Sequence, residues 1–219
     1  PQVATSLIRQ DLFRRDFTIN ALAIALDGDR YGELVDFFGG RRDLERHEIR
    51  ALHSLSFIDD PTRAIRAVRY ARRLAFAIAP DTAHLVATAV EEGVFDQLSG
   101  QRVRRELELL LAEPHPTAAV ALLAELGVLS AVAPDLEWSE TARSLLLDVE
   151  GQLAWYRLQG LEREPEPWLL VLGALIRRRP AGAGERVARR LQLTGSRMQR
   201  LATLSAAVET AITAASTEL

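Results

Sequence analysis

Apolar and polar positions follow two different rhythms along this 219-residue chain. In the first forty residues the apolar runs are short. Asn20 to Leu26 is one run, Asp27-Gly28-Asp29 is a turn signal, and Tyr31 to Phe38 reads as the returning strand, closed by Gly39-Gly40. Two strands do not make a stable sheet alone, so this piece reads as the edge of a larger β-containing domain. From Asp43 onward apolar residues recur at spacings of three and four, as on helices with one buried face. The pattern predicts helices over 57–75, 80–92, 96–112, 115–126, 139–160, 165–178, 183–193 and 196–216. Pro80, Gly93, Pro114, Pro116, Gly127, Pro134, Pro165, Pro167, Pro180 and Gly195 punctuate them. Asp81-Thr82 and Thr194-Gly195-Ser196 are start signals. Residues 162–167 and 180–184 read as linkers. Trp138, Trp155, Trp168 and Tyr156 are expected in the core. The expected fold class is mainly α, with a small β-containing piece ahead of an all-helical remainder.

Composition narrows the function classes. The chain is 48% hydrophobic and 26% charged, ordinary for a globular protein and far from the composition of a disordered one. Its longest apolar run, Trp168 to Ile176, falls well short of the roughly 20 residues that span a bilayer, so no membrane role is expected. There is no cysteine, which removes disulfides and thiolate metal centres and makes a reducing, cytoplasmic setting the default. All 27 basic residues are arginines, so Schiff-base chemistry and a P-loop lysine are excluded. The net charge of −3 means that a nucleic-acid role requires arginines gathered on one face. The four histidines, His47, His53, His84 and His115, show no metal-ligand spacing. No nucleophilic triad and no glycine-rich dinucleotide loop is visible.

Two segments carry candidate chemistry. In Arg14-Arg15-Asp16-Phe17-Thr18-Ile19-Asn20-Ala21-Leu22-Ala23, two arginines, an aspartate and an asparagine stand where the chain turns apolar. Guanidinium groups suit phosphate, because the planar fork donates two parallel hydrogen bonds. The second segment is Asp59-Asp60-Pro61-Thr62-Arg63-Ala64-Ile65-Arg66-Ala67-Val68-Arg69-Tyr70. Pro61 suits the first helical position, with Asp60 as its cap. Arg63, Arg66, Tyr70 and Arg73 then fall on one stripe. Taken alone, this is either a capped helix with a solvated arginine face or a binding surface.

The first segment resembles the ribose- and phosphate-contacting motif of the class II (bacterial-type) tRNA nucleotidyltransferases and their poly(A) polymerase relatives. The second is similar to the segment holding their Glu-Asp-x-x-Arg base-selecting motif, with Asp59 in place of the usual Glu. The resemblance implies that Arg14, Arg15, Asp16 and Asn20 position sugar and phosphates, that Asp60 and Arg63 choose the base, and that Arg66 belongs to the same nucleotide site. Adenine and cytosine both place an exocyclic amino donor beside a ring-nitrogen acceptor. A carboxylate and a guanidinium match that pair and leave guanine and uracil with unpaired polar groups, at about 1–3 kcal/mol each. Leu34 to Leu44 resembles the Asp-x-x-x-Gly-x-x-Asp-Leu element joining head to neck, where Asp36 is structural and Asp43 caps the next helix. Gln101-Arg102-Val103-Arg104-Arg105-Glu106-Leu107 resembles a neck element in which Arg102 buttresses the nucleotide site or pairs with Glu106 on the helix surface.

The resemblance implies four parts: 1–42 as the remnant of a nucleotidyltransferase head, 43–115 as a helical neck, 116–182 as a body and 183–219 as a tail. The implied activity is template-independent addition of A, or of C and A, from ATP and CTP to tRNA 3′ ends, the helices measuring the acceptor–T arm by shape. Arg177, Arg178, Arg186, Arg189 and Arg190 are candidate RNA contacts, since Glu185 is the single acidic residue from Arg177 to Arg200. The family's Asp-x-Asp after a Gly-Gly-x-x-Arg-Asp loop, which holds Mg2+, does not occur here. The chain is therefore expected to be inactive alone, part of a longer enzyme, with no catalytic or metal-binding residue of its own. A poly(A) polymerase and a non-catalytic helical RNA-binding module are the alternatives.

Overall fold

The computed structural model describes residues 7–26, 28–160, 165–176, 179–180 and 182–203. Within them the fold is mainly α with two small sheets. The chain divides into two compact units, 1–89 and 90–219, a boundary inside the segment expected to form the neck.

The first unit opens with a short helix, α1 (Ile8–Phe13), followed by a single 3-10 turn over Thr18–Asn20. Strands β1 (Leu22–Ile24) and β2 (Leu34–Asp36) form the expected antiparallel pair, with Ala23 opposite Val35. Next come α2 (Gly40–Glu45), β3 (Glu48–Ile49), α3 (Ser56–Asp59), α4 (Thr62–Leu74), β4 (Ala77–Ile78) and α5 (Pro80–Glu91). β3 and β4 pair in parallel, a contact that two-residue strands do not announce in sequence.

The helix expected over 57–75 is broken into α3 and α4. Asp60 between them is extended, at φ −146° and ψ 91°, because the ring of Pro61 disfavours the helical region for the residue before it. Asp60 does cap α4: its Oδ1 accepts from the Thr62 backbone N–H at 3.1 Å and from the Thr62 hydroxyl at 2.6 Å. α4 buries Ala64, Ile65, Ala67, Val68 and Ala71, a stripe at helical spacing that packs with Phe17, Ile49 and Phe57 in the core. Its arginines occupy the other faces.

Asp43 departs from expectation. It lies inside α2 and is fully buried, so it caps no following helix. Its carboxylate accepts from the Thr18 hydroxyl at 2.7 Å and from Arg50 Nε at 3.3 Å. A charge at this depth needs such partners. Gly40, the first residue of α2, has no room for a side chain, because a Cβ there would run into the Thr18 carbonyl.

The second unit contains α6 (Gly100–Leu111), α7 (Pro116–Glu125), α8 (Val128–Val132), α9 (Glu140–Leu158), α10 (Pro167–Ile176) and α11 (Ala183–Arg190). Residues 195–203 are helical as well. The expected helix over 96–112 begins later, since Ser99 caps α6 by accepting from the Arg102 N–H, and 94–97 form a 3-10 turn. α10 packs on α6 and α9, and Leu107, Leu110, Leu123, Leu146, Leu172 and Ile176 fill the space between the helices. Trp168 is in this core, but Trp155 is 55% exposed. The buried face of α9 carries Ala142, Leu146 and Leu153. Position 155 lies two residues past Leu153, about 200° around the helix, and so faces away.

Candidate functional site

The residues singled out in the first unit converge. Arg14 follows α1, and Phe17 anchors the segment by full burial, edge-on to the Tyr70 ring of α4 at 5.7 Å. Between them Asp16 is only 5% exposed. Its Oδ1 accepts from the Phe17 backbone N–H at 3.1 Å and from Asn20 Nδ2 at 2.8 Å. Its Oδ2 lies 2.6 Å from Nη2 of Arg66, one turn into α4. Asp16 thus fixes the Asn20 amide on one side and the Arg66 guanidinium on the other.

Arg63 makes the second link. Its Nη1 donates to Ser56 Oγ at 2.9 Å and to the Ser56 carbonyl at 3.3 Å, and its Nη2 donates to the Arg14 carbonyl at 3.0 Å. The two arginine-bearing segments, almost fifty residues apart in sequence, are therefore joined by Arg63 to Arg14 and by Arg66 to Asp16. Arg14 and Arg15 are exposed, and Arg15 makes an ion pair with Asp11 at 3.4 Å, weak at that exposure. Asp60, held by Thr62, sits at the head of the helix that carries Arg63.

His53 is a neighbour that the sequence did not single out. Its ring stacks on Phe13 at 4.8 Å and 29°. Burial lowers its pKa, the charge of Arg63 lowers it further, and Asp59 opposes both. Phe13 and His53 are 40 positions apart in the chain, which leaves no local pattern to reveal the pair. Asp36 plays the structural part expected of it. Its Oδ1 accepts from the N–H groups of Phe38, Gly39 and Gly40, and its Oδ2 from that of Arg41. Burial raises its pKa, but the four backbone donors outweigh that and hold the carboxyl below its ordinary value.

In the second unit, several of the candidate RNA-contacting arginines already have carboxylate or carbonyl partners. Arg186 grips Asp135 with two hydrogen bonds, at 2.6 and 2.8 Å, which lowers the Asp135 pKa. Arg190 donates to the carbonyls of Phe95 at 2.8 Å and Leu98 at 3.1 Å. Arg179 pairs with Glu137, and Arg197 and Arg200 share Glu166. The local shortage of acidic residues is made up by carboxylates from upstream. Arg189 is the more available, exposed and 3.5 Å from Glu185. Arg102 is exposed on α6, and its backbone N–H meets the Ser99 cap. Arg177 and Arg178 lie outside the described residues. Among the described residues no group of three or more His, Asp and Glu side chains is placed to hold a metal ion. Nor is any helix among them long and apolar enough to cross a membrane.

Comparison with known proteins shows what the chain is similar to. The family model described as "Poly A polymerase head domain" matches residues 1–50, and "Probable RNA and SrmB- binding site of polymerase A" matches residues 75–139. The chain is 41% identical over 175 residues to the A-adding tRNA nucleotidyltransferase of Geobacter sulfurreducens, covering 80% of this chain and 20% of that protein. It is 42% identical over 133 residues to the multifunctional CCA protein of Burkholderia mallei, covering 59% of this chain and 32% of that one. The fold superposes on the Thermotoga maritima CCA-adding enzyme complexed with tRNA at a TM-score of 0.79 and 35% identity, over 89% of this chain and 47% of that one. CCA-adding enzyme structures with ATP and with CTP superpose with a TM-score of 0.80, again over 89% of this chain and 46% of theirs. The chain thus spans between a fifth and about half of the length of these relatives.

Proposed function

Because this chain belongs to the poly(A) polymerase and tRNA nucleotidyltransferase family, we propose that it is the nucleotide-selecting and RNA-binding part of an enzyme that adds A, or C and A, to tRNA 3′ ends. The observation that carries this reading is the double link between the two arginine segments, Arg63 to the Arg14 carbonyl and Arg66 to Asp16. It ties the backbone of the Arg14–Asp16 segment to the helix that carries Arg63 and Arg66, which supports reading the two segments as one nucleotide site.

In this reading Arg14 and Arg15 meet the triphosphate of ATP or CTP, and Asn20, held by Asp16, meets the sugar. Asp60 accepts from the exocyclic amino group of adenine or cytosine while Arg63 donates to the adjacent ring nitrogen. Guanine and uracil would set a carbonyl against the carboxylate and an N–H against the guanidinium. Each mismatch desolvates a polar group without a partner. Arg66 holds the sugar-binding turn through Asp16. Residues 1–42 contribute the head side of the site, 43–115 the neck, and 116–182 and 183–219 the body and tail that bear on tRNA in the cytoplasm. The described residues offer no cluster of carboxylates fit to hold Mg2+, so the roles assigned here are binding and selection.

The test is nucleotide incorporation by the whole protein on tRNAs ending at the discriminator base, at C and at CC, with ATP and CTP supplied separately. CTP addition to the first two and ATP addition to the third is the result for CCA addition. ATP addition after CC alone is the result for A addition. No incorporation on any of the three would overturn the reading.

A further inference from the structure

We propose that Ser56 is a positioning residue for base selection: it touches no nucleotide but sets the angle of the Arg63 guanidinium. The inference rests on the reading of Asp60 and Arg63 as the base-selecting pair and extends it to a residue outside both motifs. Ser56 opens α3 and is fully buried. Its hydroxyl and its own carbonyl both accept from one nitrogen, Arg63 Nη1, at 2.9 and 3.3 Å. The other terminal nitrogen, Nη2, is held by the Arg14 carbonyl at 3.0 Å. A guanidinium is a rigid planar fork, so fixing both terminal nitrogens fixes the plane and therefore the direction of every remaining N–H.

The two clamps are unequal. The Arg14 carbonyl and the Ser56 carbonyl are backbone groups that no substitution removes. The shorter of the Nη1 contacts, the Ser56 hydroxyl, is the replaceable one. Without it Nη1 keeps a single long bond, and the fork gains freedom to rotate about its bond to the Arg14 carbonyl. A recognition group must be held to within about 10–20° of its working direction. Loosening Arg63 therefore weakens its bond to the correct ring nitrogen and lets it turn from the N–H of a wrong base. The prediction is a loss of discrimination more than a loss of turnover.

Nucleotide choice by the whole protein tests this, with a tRNA ending in CC and with ATP, GTP and UTP compared by kcat/KM. Ser56→Ala should cut the preference for ATP by roughly tenfold, chiefly through a higher KM for ATP, with the melting temperature and RNA affinity held near their original values. Ser56→Cys, close in size but a weak acceptor, should follow alanine, and Ser56→Thr, which keeps the hydroxyl, should restore the preference. Arg63→Ala is the reference. If it abolishes the preference while Ser56→Ala and Ser56→Cys retain it, Ser56 is only a filler and the inference fails. If Arg63→Ala itself leaves the preference intact, base selection by the Asp60–Arg63 pair is what fails, and the positioning role goes with it.

Discussion

Asp16 and Arg66 form an ion pair of 2.6 Å in which the carboxylate is buried and the guanidinium only partly so. The carboxylate also accepts from the Phe17 N–H and the Asn20 amide, so its removal takes an acceptor from both and an ion-pair partner from Arg66. Breaking a buried pair costs about 3–5 kcal/mol, and the partial exposure of Arg66 moves the expectation to the lower end. Asp16→Ala should destabilise the protein by about 2–3 kcal/mol and should raise KM for nucleotide through the released Asn20. Urea unfolding and nucleotide titration on the same variant check both. Full stability in Asp16→Ala would mean that the pair is not formed in solution.

The stack of His53 on Phe13 gives stability a pH dependence with a definite sign. The folded pKa of His53 is lowered from 6.5, first by burial and then by Arg63. Above that value the imidazole is neutral in both states. As pH falls through it, the unfolded chain takes up a proton before the folded one, so folding is disfavoured. Stability should therefore be full above about pH 6.5 and fall as pH drops towards the folded pKa. His53→Phe keeps a ring against Phe13 and removes the proton. Chemical unfolding at pH 7.5 and 5.5 should show a smaller acid loss in His53→Phe than in the parent. Equal losses would place the titration elsewhere.

The local half of this structure was legible in the sequence, and the non-local half was not. Asp60 and Pro61 announce the start of α4 because a carboxylate cap and a fixed φ act within two residues. Gly39-Gly40 likewise announces the tight exit from the second strand, and Asp36 accepts from the backbone N–H groups of both glycines there. The Arg14–Arg15–Asp16 and Asp60–Arg63 segments were found as separate patterns. That Arg63 holds the Arg14 carbonyl depends on how α4 packs against the segment from Arg14 to Phe17, which no spacing encodes. Asp43 was misplaced for the same reason: its partners, Thr18 and Arg50, flank it by 25 and 7 residues. Trp155 was expected in the core on hydrophobicity alone, where the phase of α9 decides.

Gly100, in the second unit, has no room for a side chain. It is the first residue of α6, and a Cβ there would run into the backbone carbonyl of Arg190 at the end of α11. Substitution by alanine gains about 0.4–1 kcal/mol from a less flexible unfolded chain. Overpacking against a fixed backbone costs about 1–3 kcal/mol, and backbone, unlike a side-chain tip, cannot rotate aside. Gly100→Ala should therefore be destabilising on balance, whereas Gly151→Ala, with open space around its Cβ inside α9, should be neutral or stabilising. Thermal melts of the two variants separate close approach from helix propensity, and a stabilised Gly100→Ala would refute the packing.

Adjacent arginines at the end of α11 should behave as opposites. Arg190 donates to the carbonyls of Phe95 and Leu98, so Arg190→Ala leaves two acceptors short of a charged donor, a loss of about 1–3 kcal/mol. Any fall in tRNA affinity in that variant should track its melting temperature. Arg189 is exposed, with a 3.5 Å ion pair of little energetic weight, and its replacement should leave stability within about 0.5 kcal/mol. As a proposed phosphate contact it should matter for RNA instead. Each phosphate neutralised releases condensed counterions, so losing one contact should lower the steepness of log K against log salt by roughly one. Fluorescence anisotropy with tRNA across a salt series reads that slope directly. A reduced slope at unchanged melting temperature in Arg189→Ala puts RNA on this end of α11, and an unchanged slope removes Arg189 from the interface.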